Sequence, residues 1–284
     1  MTSAARFNGG MTNLGGQYGV WRRGRDTDAA FAQAVEGLGY SSLWLGGVTD
    51  DDLERTGELL AATTKLVVAT GIVNIFTIDA ATAAGWFQRV DGQYPGRVVL
   101  GVGTGHREAV GPQAATPYQA LVAYLDELQQ AGIPAERIVI AALGPRVLKL
   151  SRDRTGGAHP YLTTPEHTRT ARAALGPDKL LVPEQHVALG DKAAVAREAV
   201  APYLQLTNYR NNWLRSGFTE QDLADGGSDA FLDAVVALGT PDAVAARLRA
   251  HLDAGADQVL AQALGDSPLD DLTDLAQALP FQKA

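Results

Sequence analysis

Residues 97–108 read RVVLGVGTGHRE, an apolar run that stops in three alternate glycines and delivers a histidine, an arginine and a glutamate together. With an ordinary pKa of about 6.5, the His106 imidazole can donate or accept a proton at neutral pH, which makes it the candidate acid–base group. A solvated loop histidine would occupy the same place. Gly101, Gly103 and Gly105 serve either a sharp turn or the close approach of a planar ring or a phosphate to the backbone. The run lacks the glycine spacing and the distal acid of a dinucleotide fingerprint. Gly144, Pro145 and Arg146 form a second candidate, because a helix that begins after such a turn points free N–H groups at an anion. His159, followed by Pro160 and Tyr161, either packs or lines the same site, whereas His167 and His251 are read as surface or structural. No two histidines have metal-ligand spacing, so no metal site is expected.

These residues act together only if the fold gathers them. Eight β-rich runs occur at 16–21, 41–47, 65–74, 97–105, 137–144, 157–163, 179–189 and 258–264, each apolar and bounded by turn residues. Helical patterns lie between them. Phe31, Val35 and Leu38 repeat before Gly39; Val244, Leu248 and Leu252 follow Thr240 as N-cap and Pro241 in the first turn, and stop at Gly255. Apolar strands alternating with amphipathic helices predict a parallel sheet covered by helices, and eight such units predict an α/β chain, 1–284, folded as one (β/α)8 TIM barrel domain. The stretch at about 190–257 is too long for one crossover and is expected to hold extra helices, with a connector at 206–219 and a joint at 223–229. In barrel enzymes the active site sits at the C-terminal ends of the strands, which is where the three glycines and His106 fall.

Composition removes several function classes. The chain has 284 residues, 24 Lys+Arg against 32 Asp+Glu, and a formal net charge of -8, with no cluster of cations that would make a nucleic-acid groove. It contains no cysteine, which rules out disulfides, thiolate metal sites and a thiol nucleophile. No run reaches the roughly 18 apolar residues of a membrane span and the first residues carry no signal-peptide core, so a cytoplasmic location without a membrane partner is expected.

Five stretches, EGLGYSSLWLGG, VVATGIVN, VVLGVGTGHRE, ALGPRVLKLSRDRTGGAHPYLTTPEH and ALGTPDAVAARLRAHLDAGADQV, resemble the luciferase-like monooxygenase superfamily, and within it the branch that uses the deazaflavin coenzyme F-420. The resemblance runs from about residue 16 to 264. It implies a barrel of the bacterial-luciferase-like type and a non-prolyl cis peptide at Gly71-Ile72 behind the cofactor ring. Asn74 would lie beside the ring, Gly103, Thr104, Gly105 and His106 would cover it, and Gly144, Pro145 and Arg146 would hold the phosphate. Ala158 and His159 are further implied cofactor contacts. Many relatives carry Asp, Glu or His at the end of the second strand; here Gly46-Gly47 stands there, so the acid–base role passes to His106. Trp44, Gly46, Tyr161 and Gln185 are the candidate substrate contacts, although a tryptophan in a barrel strand is as often core.

The resemblance thus implies an oxidoreductase that moves a hydride between coenzyme F-420 and a small alcohol, carbonyl or activated alkene. Two alternatives are an FMN-dependent monooxygenase using molecular oxygen and a flavin- or deazaflavin-binding protein without turnover. Relatives often pair through barrel helices, so a homodimer is a further expectation.

Overall fold

The computed structural model describes residues 12–105 and 117–281. Among these, eleven strands form one sheet. They are β1 (Tyr18–Arg23), β2 (Ser42–Gly46), β3 (Val67–Thr70), β4 (Val73–Asn74), β5 (Val98–Gly103), β6 (Ile138–Ala141), β7 (Gly157–His159), β8 (Leu180–Leu181), β9 (Glu184–Leu189), β10 (Val236–Gly239) and β11 (Val259–Ala263). The helices are α1 (Ala29–Gly37), α2 (Asp50–Ala61), α3 (Ala80–Gln93), α4 (Pro117–Gln130), α5 (Pro145–Arg154), α6 (Pro165–Leu175), α7 (Ala193–Val200), α8 (Thr207–Arg215), α9 (Asp229–Val235), α10 (Pro241–Asp253) and α11 (Pro268–Ala278). Asp28, Thr49, Asp79, Thr164, Ser228 and Thr240 cap helix starts through their side chains, each contributing about 1 kcal/mol.

Strand order runs β11-β1-β2-β3-β5-β6-β7-β8, all pairs parallel. The ring closes through residues 180–189. Leu180, Val182 and Glu184 donate their N–H groups to Gly156, Ala158 and Pro160, while Asp257 and Leu260 donate to Leu181 and Pro183. One segment therefore bonds β7 along one edge and β11 along the other, giving the (β/α)8 barrel that the alternation predicts. Pro183, which has no N–H to give, divides that segment into β8 and β9.

Alternation along each strand separates two apolar layers. On β5, Val98, Leu100 and Val102 join the cluster between sheet and helices, whereas Val99 joins Trp21, Trp44, Ala69, Val139, Val182 and Leu260 inside the barrel. The stretch 190–257 holds α7, α8 and α9, which build a separate apolar cluster around Trp213 and Phe231. It also holds β10, which pattern reading does not supply: VALG follows α9 with no glycine, proline or polar break to mark it. No helix among the described residues is long and apolar enough to cross a membrane, and no group of His, Asp and Glu among them has the makings of a metal site.

Candidate active site

The C-terminal ends of the strands open on a cavity of about 1220 Å³. One side is backbone-rich. Gly71, Ile72 and Asn74 line it where β3 breaks into β4, and Thr104 and Gly105 line it where β5 ends. The Gly71-Ile72 peptide is cis. Gly105 has φ +59°, and a Cβ there would press on the Asn74 carboxamide at 2.5 Å, so the turn needs glycine for both reasons. Asn74 is itself held, its Oδ1 accepting the N–H of Phe76 at 3.0 Å.

Trp21 completes this side. Its indole Nε1–H donates to the Gly71 carbonyl at 2.9 Å, and its ring fills the volume that a Cβ on Gly46 would need. Gly101 answers a different demand: a Cβ would overlap the Thr70 carbonyl oxygen, and the Thr70 hydroxyl both donates to the Gly101 carbonyl at 2.7 Å and accepts its N–H at 2.8 Å. At Gly103 a Cβ would crowd Ala141 at 2.9 Å and Ile72 at 3.2 Å. The alternate glycines thus let strand ends approach one another, and only Gly105 of the three faces the cavity.

Opposite in ring order, β9 and β11 bring side chains that can handle protons. Glu184 is fully buried and His186 nearly so, and the imidazole Nδ1–H donates to Glu184 Oε1 at 2.6 Å. The second carboxylate oxygen accepts the N–H of Leu162 at 2.9 Å. Leu162 has φ +53°, a region that non-glycine residues rarely enter, and Glu184 helps hold it there. Tyr161, just before it, turns its ring edge-on to Trp21 at 5.2 Å and to His186 at 5.4 Å. The Tyr161 hydroxyl donates to Gln262 Oε1 at 2.8 Å and accepts from Tyr203 at 3.1 Å. Burial raises the Tyr161 and Tyr209 phenols well above their ordinary value, reinforced by Tyr203 and Glu184, so both stay protonated.

His159 forms part of the same wall. Its Nδ1–H donates to the Val182 carbonyl at 2.7 Å, its ring lies 4.8 Å from that of Trp44, and burial lowers its pKa against the opposing pull of that hydrogen bond. The ring is therefore neutral, with Nε2 a bare acceptor that has no partner among the described residues. At the far end, Gly144 N-caps α5 with no side-chain cap, and Arg215 Nη2 stands 3.6 Å from where a Cβ on Gly144 would be. A helix N-terminus beside a guanidinium is suited to an anion.

The luciferase-like monooxygenase family model matches residues 22–258. The chain belongs to that family. No curated protein sequence matches it. Among solved structures, it is similar to an F420-dependent secondary alcohol dehydrogenase in complex with an F420-acetone adduct: TM-score 0.71, 14% identity, 94% of this chain and 99% of that one. A coenzyme F420 dependent tetrahydromethanopterin reductase from Methanopyrus kandleri gives 0.67 at 14% identity, over 93% and 98% of the two chains. The FMN-bound oxygenating constituent of 3,6-diketocamphane monooxygenase from Pseudomonas putida gives 0.61 at 13% identity, over 94% and 100%. Luciferase-like members thus include deazaflavin and flavin enzymes on one fold, and the fold does not choose between them.

Within this luciferase-like barrel the sequence-predicted residues divide cleanly. Gly71, Ile72, Asn74, Thr104, Gly105, Gly144, His159 and Tyr161 line the cavity. Gly103 instead packs against Ala141 and Ile72, and Ala158 faces outward among Leu148, Ala171 and Leu181. Pro145 is the exposed first residue of α5, and Arg146 stacks over the Tyr118 ring at 3.7 Å. Trp44 is core, its Nε1–H donating to Ser42 Oγ at 3.2 Å, and the Gly46 space belongs to Trp21. Gln185 points away from the barrel axis, donating to the Val235 carbonyl at 2.8 Å and accepting from His251 Nε2 at 2.9 Å. His106 lies outside the described residues. Sequence reasoning passed over Trp21, Glu184, His186 and Gln262. Period-two alternation in EQHVAL was the available signal: Gln185 faces the helices, so its two neighbours face the barrel.

Proposed function

We propose that this barrel is an oxidoreductase that transfers a hydride between a deazaflavin of the coenzyme F-420 type and a small alcohol, carbonyl or activated alkene. The observation that carries this reading is the cavity itself, which joins a backbone-rich side, an anion-suited end and a proton-handling wall. Its volume of about 1220 Å³ exceeds the roughly 300–1,000 Å³ of a single small-molecule site, which leaves space for a cofactor ring and a substrate together.

The residues present fit such a group. Gly71-Ile72, Asn74, Thr104 and Gly105 would meet a flat ring, and Gly144 with Arg215 would hold a phosphate. When bound, the deazaflavin supplies the two-electron hydride chemistry; the chain supplies orientation, exclusion of water and proton handling. The Glu184–His186 couple is suited to the one proton that accompanies each hydride exchanged with an oxygen-bearing carbon. His106, the acid–base candidate in the sequence, lies outside the described residues, and the proton-handling group among the described ones is His186. Titration of the purified protein with oxidised coenzyme F-420 and with FMN tests the reading, followed by alcohols and enones as substrates. Preference for FMN with substrate-dependent oxygen uptake would replace it by the monooxygenase reading.

A further inference from the structure

We propose that His186 Nε2 is the atom that gives and takes the substrate proton, that Glu184 is its positioning residue, and that the substrate is consequently an alcohol–carbonyl pair rather than an alkene. The inference rests on the oxidoreductase reading above. It begins with strand geometry: residues two apart on β9 share a face, and His186 pairs in register with Gln262 of β11, so these three side chains converge at the barrel mouth. Glu184 is 0% exposed and His186 1%. A carboxylate so deep is costly unless its oxygens are bonded, and both are: one by the His186 ring, the other by the Leu162 N–H.

The bond to Glu184 fixes the tautomer. Nδ1 carries a proton and donates it at 2.6 Å, which leaves Nε2 on the opposite ring edge as the site that can bind a second proton. His186 lines the cavity while its Nδ1 edge is spent on fully buried Glu184, so the Nε2 edge is the one the cavity meets. The titratable and charged groups around it are Glu184 on its own strand, Tyr161 beyond β7, Tyr203 before α8 and Arg23 at the end of β1.

The chemistry balances. In the oxidative direction the alcohol O–H bond breaks and its proton joins Nε2, the carbinol C–H leaves as hydride to the flavin-type acceptor, and the C=O bond forms. The imidazolium so made sits against the Glu184 carboxylate, and its proton then passes to solvent. In reverse, Nε2–H protonates the carbonyl oxygen as hydride arrives at carbon. An activated alkene takes its proton at carbon, a slower transfer than one between nitrogen and oxygen, so the couple is matched better to an alcohol or carbonyl oxygen. Trp21, Tyr161, Tyr203 and Tyr209 make the neighbouring cavity wall aromatic, which suits a substrate whose body is apolar.

Two measurements test the assignment, one of them without cofactor. Diethyl pyrocarbonate applied to the folded wild-type protein, with sites mapped by peptide mass, is expected to modify His186 and to spare His251, both of whose ring nitrogens are bonded. If His186 stays unmodified while the unfolded chain reacts throughout, Nε2 is not presented to the cavity and the assignment is overturned. In the cofactor-loaded protein, His186→Gln is expected to lower kcat for alcohol oxidation by about 100-fold or more, with cofactor Kd within about threefold. Glu184→Gln should lower kcat less and move the pH midpoint of kcat toward acid, because the imidazolium loses its carboxylate. Wild-type turnover that survives His186→Gln but is lost in His106→Ala overturns this assignment alone. Absence of any wild-type turnover overturns the reading on which it rests.

Discussion

The Trp21 indole occupies the volume that a side chain on Gly46 would need, and from there its Nε1–H reaches the Gly71 carbonyl at 2.9 Å. The absence of an acid or histidine at the end of the second strand is therefore not an empty place in the site. A larger residue on the first strand has filled it and tied itself to the peptide that the cofactor ring is proposed to face. The bare end of strand two and the strand-one indole are one structural feature.

Gly46→Ala should consequently be destabilising despite its small size. The new methyl overlaps the indole, and forced overpacking of this kind costs about 1–3 kcal/mol. Thermal unfolding of the variant would show a lowered Tm together with altered tryptophan emission; a Tm equal to that of the parent would mean that Trp21 moves without cost.

Trp21→Phe keeps an aromatic ring but removes the donor to Gly71. The carbonyl it leaves is at a cavity wall, and an unmade hydrogen bond there costs about 1–3 kcal/mol if water does not replace it. Urea unfolding should register that loss, and cofactor affinity should fall with it, whereas equal stability would show that the bond is dispensable.

Arg215→Ala tests the anion end. The variant should bind a phosphate-bearing cofactor roughly 10-fold more weakly, the scale of one charge-assisted hydrogen bond, and should bind riboflavin, which has no phosphate, as the parent does. Titrations of FMN and riboflavin side by side give the answer: an equal change for both would move the phosphate away from Gly144.

Buried histidines should make the fold sensitive to acid. Burial, with Arg247 and His167 adding to it, lowers His251 to about 3, and burial lowers His159 and His167 as well. The unfolded chain takes up the His251 proton near pH 6.5 and the folded chain only near 3, so stability present above about 6.5 is lost as pH falls toward 3, at up to about 1.4 kcal/mol per pH unit, with His159 and His167 acting in the same direction. The urea midpoint should fall between pH 7 and pH 5, and less so in His251→Gln. A midpoint that does not move would mean that these rings protonate in place.

Much of this was legible in the sequence because apolar runs and caps are local signals. The eight strand-bearing stretches, the Thr240-Pro241 helix start and the glycine-rich strand ends all lie where their patterns put them. The errors come from relations between strands. Gly101 and Gly103 look like ligand contacts in sequence, yet their partners are the Thr70 carbonyl and Ala141, tens of residues away. Gln185 was one residue out of phase, since nothing in EQHVAL says which face meets the barrel until its register with β11 is known. Pro183 divides the single run read at 179–189 into β8 and β9, and the unpunctuated VALG hid the existence of β10.

The most direct test of the central claim is a paired fluorescence titration of the purified protein with oxidised coenzyme F-420 and with FMN. Saturable binding of the deazaflavin with Kd at or below about 1 μM, near −8 kcal/mol, and clearly weaker binding of FMN, is the predicted result. Binding of neither would contradict the account, for the cavity between Gly71-Ile72 and His186 would then hold something other than a flavin-type ring.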